Sequence, residues 1–97
     1  MIYLVTLTFS KIPEPDKKSD FDKALEDIGF SNMIDANGGS ELPLPKTMFC
    51  GRFEGETAAK VRTDLTETVC ESLKLLGFKS RFMLMVAQQY AWSIRNA

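Results

Sequence analysis

Three observations predict an α+β fold in which two helices lie on one face of an antiparallel sheet. Residues 57–77 carry a long apolar stripe at helical spacing. A second, shorter helical period occupies residues 19–28. Around them stand four stretches of strand character, at 1–9, 30–34, 46–53 and 78–87.

Residues 1–9 alternate. Tyr3, Val5, Leu7 and Phe9 make one wholly apolar face. Ile2, Leu4, Thr6 and Thr8 make the other, apolar at its start and hydroxylic at its end. β-branched and aromatic residues dominate, so this is a strand with one face in the core and the other half covered. Two prolines and several charges make 10–18 a surface loop. Ser19 then opens the short helix, with Asp22 three residues later as in a capping box. Phe21, Ala24, Leu25 and Ile28 form its stripe, and Gly29 stops it.

Residues 30–34 suit a short second strand. Asn37-Gly38-Gly39 is turn chemistry, fit for a hairpin tip. Pro43 and Pro45 bar a central strand and favour an extended edge segment. In 46–53, Thr47, Phe49, Gly51 and Phe53 share one face, and Met48, Cys50 and Arg52 the other. Thr57 suits the N-cap of the long helix and Gly77 the position after its end. Ala58, Val61, Leu65, Val69 and Leu76 fall in its stripe, with Leu73 at the border. Over 78–87, Phe82, Leu84 and Val86 point one way and Met83, Met85 and Ala87 the other. A strand apolar on both faces is expected to be buried on both. The tail 88–97 keeps Tyr90, Trp92 and Ile94 in alternation, which leaves room for a fifth, C-terminal strand.

This order is that of a ferredoxin-like βαββαβ arrangement, with residues 1–97 as a single domain. Right-handed crossovers put both helices on the same side of the sheet. Ile2, Leu4, Met83 and Met85 are then left on the uncovered face. A symmetric homodimer is the simplest cover. Its expected interface residues are Met83, Met85, Tyr90, Trp92 and Ile94.

Composition removes several functions. Histidine is absent from the 97 residues, which excludes His-based triads and His-ligated metal sites. The net charge of −1 argues against nucleic acid as an obligatory partner, because phosphate binding leaves a basic footprint. Asn37-Gly38-Gly39 lacks the pattern of a phosphate loop, and no cofactor is expected. The first nine residues lack the basic start and cleavage site of a signal peptide, and no run of apolar residues is long enough to span a bilayer. Two cysteines outside a CxxC spacing form no disulfide framework, so the cytoplasm is the expected compartment.

The remaining candidates are few, and each has a plain structural reading. Cys50 and Cys70 read as small fillers rather than nucleophiles, since no histidine base exists. Asp35, Glu41, Glu54 and Glu56 lie near loops and would make a paired-carboxylate or metal site only if the fold gathers them; otherwise they are solvated loop charges. Lys11, Lys17, Lys18 and Lys23 form a modest basic cluster, and Tyr3, Phe9, Tyr90 and Trp92 would stack bases only if they faced solvent. Asp64, Glu67 and Glu71 form an acidic ridge on the long helix, a solvated face or a site for a basic partner protein.

The opening YLVTLTFS, the strand KTMFCGRF, the helix start AAKVRTDL and the closing RFMLMVA followed by YAWSIR resemble a bacterial group. It is the small ferredoxin-like superfamily of VapD and CRISPR-associated endoribonucleases, with the SinR-like proteins of plasmids and phages. The resemblance implies dimerisation through sheet edges and the final strand, in a mobile-element or defence-related setting. In the nuclease branch an acidic residue ends the first strand and helps hold a metal ion across the dimer. Thr8 stands at that position here, and a hydroxyl is a poor sole ligand for Mg²⁺. The sequence therefore favours a non-enzymatic dimeric interaction module for protein or nucleic acid, with no catalytic or metal-ligating residue assigned. Its alternatives are a metal-dependent endoribonuclease of that superfamily and a phage-encoded inhibitor presenting the acidic ridge.

Overall fold

The computed structural model describes residues 1–35, 39–88 and 93–94. Strand β1, Ile2–Phe9, is the centre of the sheet. It pairs antiparallel with β4, Met48–Glu54, on one side and with β5, Phe82–Ala87, on the other. Helices α1, Pro15–Ile28, and α2, Ala58–Leu76, pack on the face made by Tyr3, Val5, Leu7 and Phe9. A separate two-stranded sheet joins β2, Met33–Asp35, to β3, Glu41–Pro43. Ser31 and Cys50 exchange backbone hydrogen bonds of 2.8 Å, which sets the chain entering β2 beside β4. The architecture is α+β, and its element order agrees with a ferredoxin-like βαββαβ fold.

The core follows the alternation of β1. Val5 and Leu7 have no exposed surface, and Phe9, Phe21, Phe49 and Phe78 stack edge-on around them. Ring centroids stand 5.1 Å apart for Phe9 and Phe21, a favoured edge-to-face spacing. Along α2, Val61, Leu65, Val69 and Leu73 are buried. Ala58 and Leu76, expected in the stripe, are exposed instead. Steps of four residues trace the contact line, because an i, i+4 ridge runs oblique to the helix axis and meets the sheet along that slant. The caps of α2 follow the sequence: Thr57 accepts from the Lys60 amide at 3.1 Å, and Gly77 takes φ 69°.

Helix α1 starts earlier than the sequence suggests. Its first residue is Pro15, whose fixed φ suits the first helical position and whose missing N–H would have no partner there. Asp16 adds a favourable charge in the first turn. Ser19 is therefore inside the helix, and Asp22 receives Lys18 Nζ at 2.7 Å rather than completing a capping box. Lys17 and Lys18, expected in the first loop, belong to α1 together with Lys23. Gly29, at φ 121°, ends the helix, and its carbonyl oxygen lies against Gly51. A Cβ on Gly51 would overlap that oxygen, so glycine is what lets β4 approach the α1–β2 turn.

Two strand expectations shift. Of residues 30–34 only Ser31 bridges to β4, while Met33–Asp35 turns away to pair with β3. The last strand begins at Phe82 rather than at 78, because Phe78 is used to close the helix end through its amide on the Leu73 carbonyl. A fifth strand in the tail falls largely on 89–92 and 95–97, outside the described residues. No helix among the described residues is long and apolar enough to cross a membrane.

Candidate interaction surface

The sheet face turned away from the helices is built from cross-strand rows. Thr8 lies between Met48 and Met83, Thr6 between Cys50 and Met85, and Leu4 between Arg52 and Ala87. This is the face that the sequence leaves uncovered. The structure divides it in two.

The β4 half is covered by the chain itself. Ile34 of β2 and Leu44, just after β3, pack on Cys50 with Leu4 and Met48 around them. The Asn32 side-chain amide holds this cover in place, donating to the carbonyls of Met48 at 2.7 Å and Pro45 at 3.1 Å. The Asn32 carbonyl accepts from the Leu44 amide at 2.7 Å. Sequence reasoning missed this second small core. Its signal was a lone leucine between two prolines and an asparagine inside an apolar stretch.

The β5 half is bare. Met83 and Met85 are 60% and 57% exposed; Ile2, at the start of β1 opposite Glu54, is 65% exposed. β5 is thus not buried on both faces within this chain: only Phe82, Leu84 and Val86 pack against the core. Of the other residues assigned to an interface, Ile94 is exposed. Tyr90 and Trp92 lie outside the described residues. Tyr3 and Phe9 are buried on the helix side, at 4% and 2% exposure, so neither offers a ring for base stacking.

A cleft of about 200 Å³ opens beside the hairpin, between Gly29, Asp35, Glu41, Cys50 and Arg52. Asp35 and Glu41 are cross-strand partners, and Arg52 Nη1 stands 3.9 Å from Asp35 Oδ2. Glu54 lies at the far end of β4, opposite Ile2, and Glu56 in the turn that follows. Only Asp35 and Glu41 of the four loop acids line this cleft. Among the described residues no group of three or more Cys, Asp or Glu side chains is placed to hold a metal ion.

Cys50 borders the cleft but is poorly suited to attack a substrate. Its thiol donates to the Met33 carbonyl at 3.3 Å. Burial pushes its pKa up, the Asp35 carboxylate pushes the same way, and Arg52 opposes them. The neutral thiol is therefore favoured, and the thiolate is the nucleophile. Cys70 is exposed on α2. On the outer side of α2, Asp64 is paired with Lys60 Nζ at 3.0 Å, and Glu67 and Glu71 are exposed.

Comparison with family models, curated proteins and solved structures finds no match for this chain.

Proposed function

We propose that this chain is a small non-enzymatic interaction module that works as a homodimer. The observation that supports this best is the bare apolar strip on the β5 half of the open sheet face, where Met83 and Met85 stand more than half exposed. Unbranched methionines suit such a surface because they repack against a partner. With the hairpin over the β4 half, the proposed self-contact uses Met83 and Met85, and Ile2 and Ile94 are further exposed candidates. Thr6 and Thr8 supply hydroxyls opposite Met85 and Met83. The module binds protein or nucleic acid; a cytoplasmic, mobile-element or defence setting, and membership of the VapD-like superfamily, rest on the sequence resemblance alone.

Light scattering tests the proposal. The wild-type chain is expected at about twice its 10.9 kDa mass at micromolar concentration. The variant carrying Met83→Glu and Met85→Glu is expected at the monomer mass with its circular dichroism unchanged. A wild-type protein that stays monomeric refutes the dimer.

A further inference from the structure

The outer edge of β5 has features that the open face does not share. We propose that this edge accepts an extended segment of another protein, apolar in its middle and acidic at its ends, as an added strand. Among the described residues β5 pairs only with β1. The Ser10 amide donates to the Arg81 carbonyl at 2.8 Å. Antiparallel alternation then turns the backbone groups of Met83, Met85 and Ala87 toward β1, and those of Phe82, Leu84 and Val86 outward. β5 contains no charge and no proline, the devices that usually blunt a free edge.

The space under that edge is shaped for side chains. Between β5 and α2 lies a groove of about 210 Å³, walled by Leu84 and Val86 on one side and by Ala58 and Ala59 on the other. The two alanines keep it open. A second groove, of about 340 Å³, continues the line beneath Phe82. Alternate side chains of an incoming strand point to one face, so every second residue would enter this trough. Every formal charge lining the two grooves is positive: Arg62 at one end, Lys74 and Lys79 at the other. The acidic ridge of α2 lines neither. An apolar trough with cationic ends is complementary to an apolar strand with acidic ends. A second copy of β5 is the poorer fit, because antiparallel pairing carries its own Lys79 and Arg81 toward the Arg62 end.

This inference rests on the interaction-module reading and deepens it by naming an edge and a partner class; it does not depend on self-association. The test titrates the full chain with the labelled peptide Glu-Glu-Val-Thr-Val-Thr-Val-Glu-Glu and with its counterpart in which lysine replaces each glutamate. Binding is read by fluorescence anisotropy and by amide NMR shifts, and light scattering on the same samples reports the dimer separately. The acidic peptide is expected to saturate below about 1 mM, at least about tenfold more tightly than the lysine peptide, with the largest shifts at Leu84 and Val86. The Arg62→Glu, Lys79→Glu double variant is expected to reverse that preference while keeping its circular dichroism. No binding by either peptide, equal binding by both, or shifts confined to Met83 and Met85 would overturn the proposal. If the edge binds while light scattering reports a monomer, the homodimer fails and this inference stands.

Discussion

The Asn32 side-chain amide donates to the Met48 carbonyl oxygen at 2.7 Å, and this bond ties the β2–β3 hairpin to the first residue of β4. It decides which half of the sheet a partner can reach. Replacing Asn32 by alanine leaves the Met48 and Pro45 carbonyls without this donor. The expected loss is about 1–3 kcal/mol, measured by urea unfolding. Because Ile34 and Leu44 cover Cys50, the same variant should let a thiol reagent reach Cys50 faster than in wild type. An unchanged rate would mean that the hairpin is held by something other than Asn32.

Gly51 and Gly77 separate two uses of glycine. At Gly51 an added methyl runs into the Gly29 backbone, which has no flexible end to move aside. At Gly77 the space is open and only the left-handed backbone is at stake. Gly77→Ala is therefore expected to cost about 1 kcal/mol, and Gly51→Ala about 3 kcal/mol or more. Thermal unfolding of the two variants side by side checks the order, and equal midpoints would contradict it.

The fold was legible where local chemistry and tertiary position agree. Tyr3, Val5, Leu7 and Phe9 announce the core face of β1 by alternation alone, and all four are buried. Thr57 and Gly77 announce both ends of α2. The start of α1 was hidden because two prolines, charges and a loop share one composition, yet Pro15 is at home in a first turn. The hairpin cover was hidden for another reason. Ile34 and Leu44 are ten positions apart and cluster with Cys50 on a third strand, an arrangement that no local period encodes.

Cys50 sets a pH dependence. Its pKa is raised in the folded chain by burial first and by Asp35 second. A raised pKa means that the neutral thiol is the form the fold favours. That contribution to stability is complete below the ordinary thiol pKa and is lost as pH rises through the raised one. Alkylation of Cys50 is thus expected to begin at a higher pH than that of a free thiol. Asp35→Asn removes one of the two raising causes and should shift the onset downward. Mass spectrometry of iodoacetamide-treated protein across pH 7–11 follows it, and an onset unmoved in Asp35→Asn would contradict the assignment.

A non-enzymatic module leaves RNA intact. Labelled RNA incubated with the pure chain and Mg²⁺ or Mn²⁺ is expected to match the EDTA control. Metal-dependent cleavage that disappears in Thr8→Ala or Asp35→Ala would replace the present reading with the nuclease one.

In the proposed homodimer, β5 makes the self-contact through its bare methionines. The chain has five methionines, at positions 1, 33, 48, 83 and 85, so ¹³C-methyl NMR gives each half of the open sheet face its own reporters. On serial dilution the Met83 and Met85 methyl signals are expected to move together toward free-chain positions. Met33 and Met48, on the hairpin-covered half, should stay still. Five stationary signals, or movement of Met33 and Met48 alone, would contradict the account.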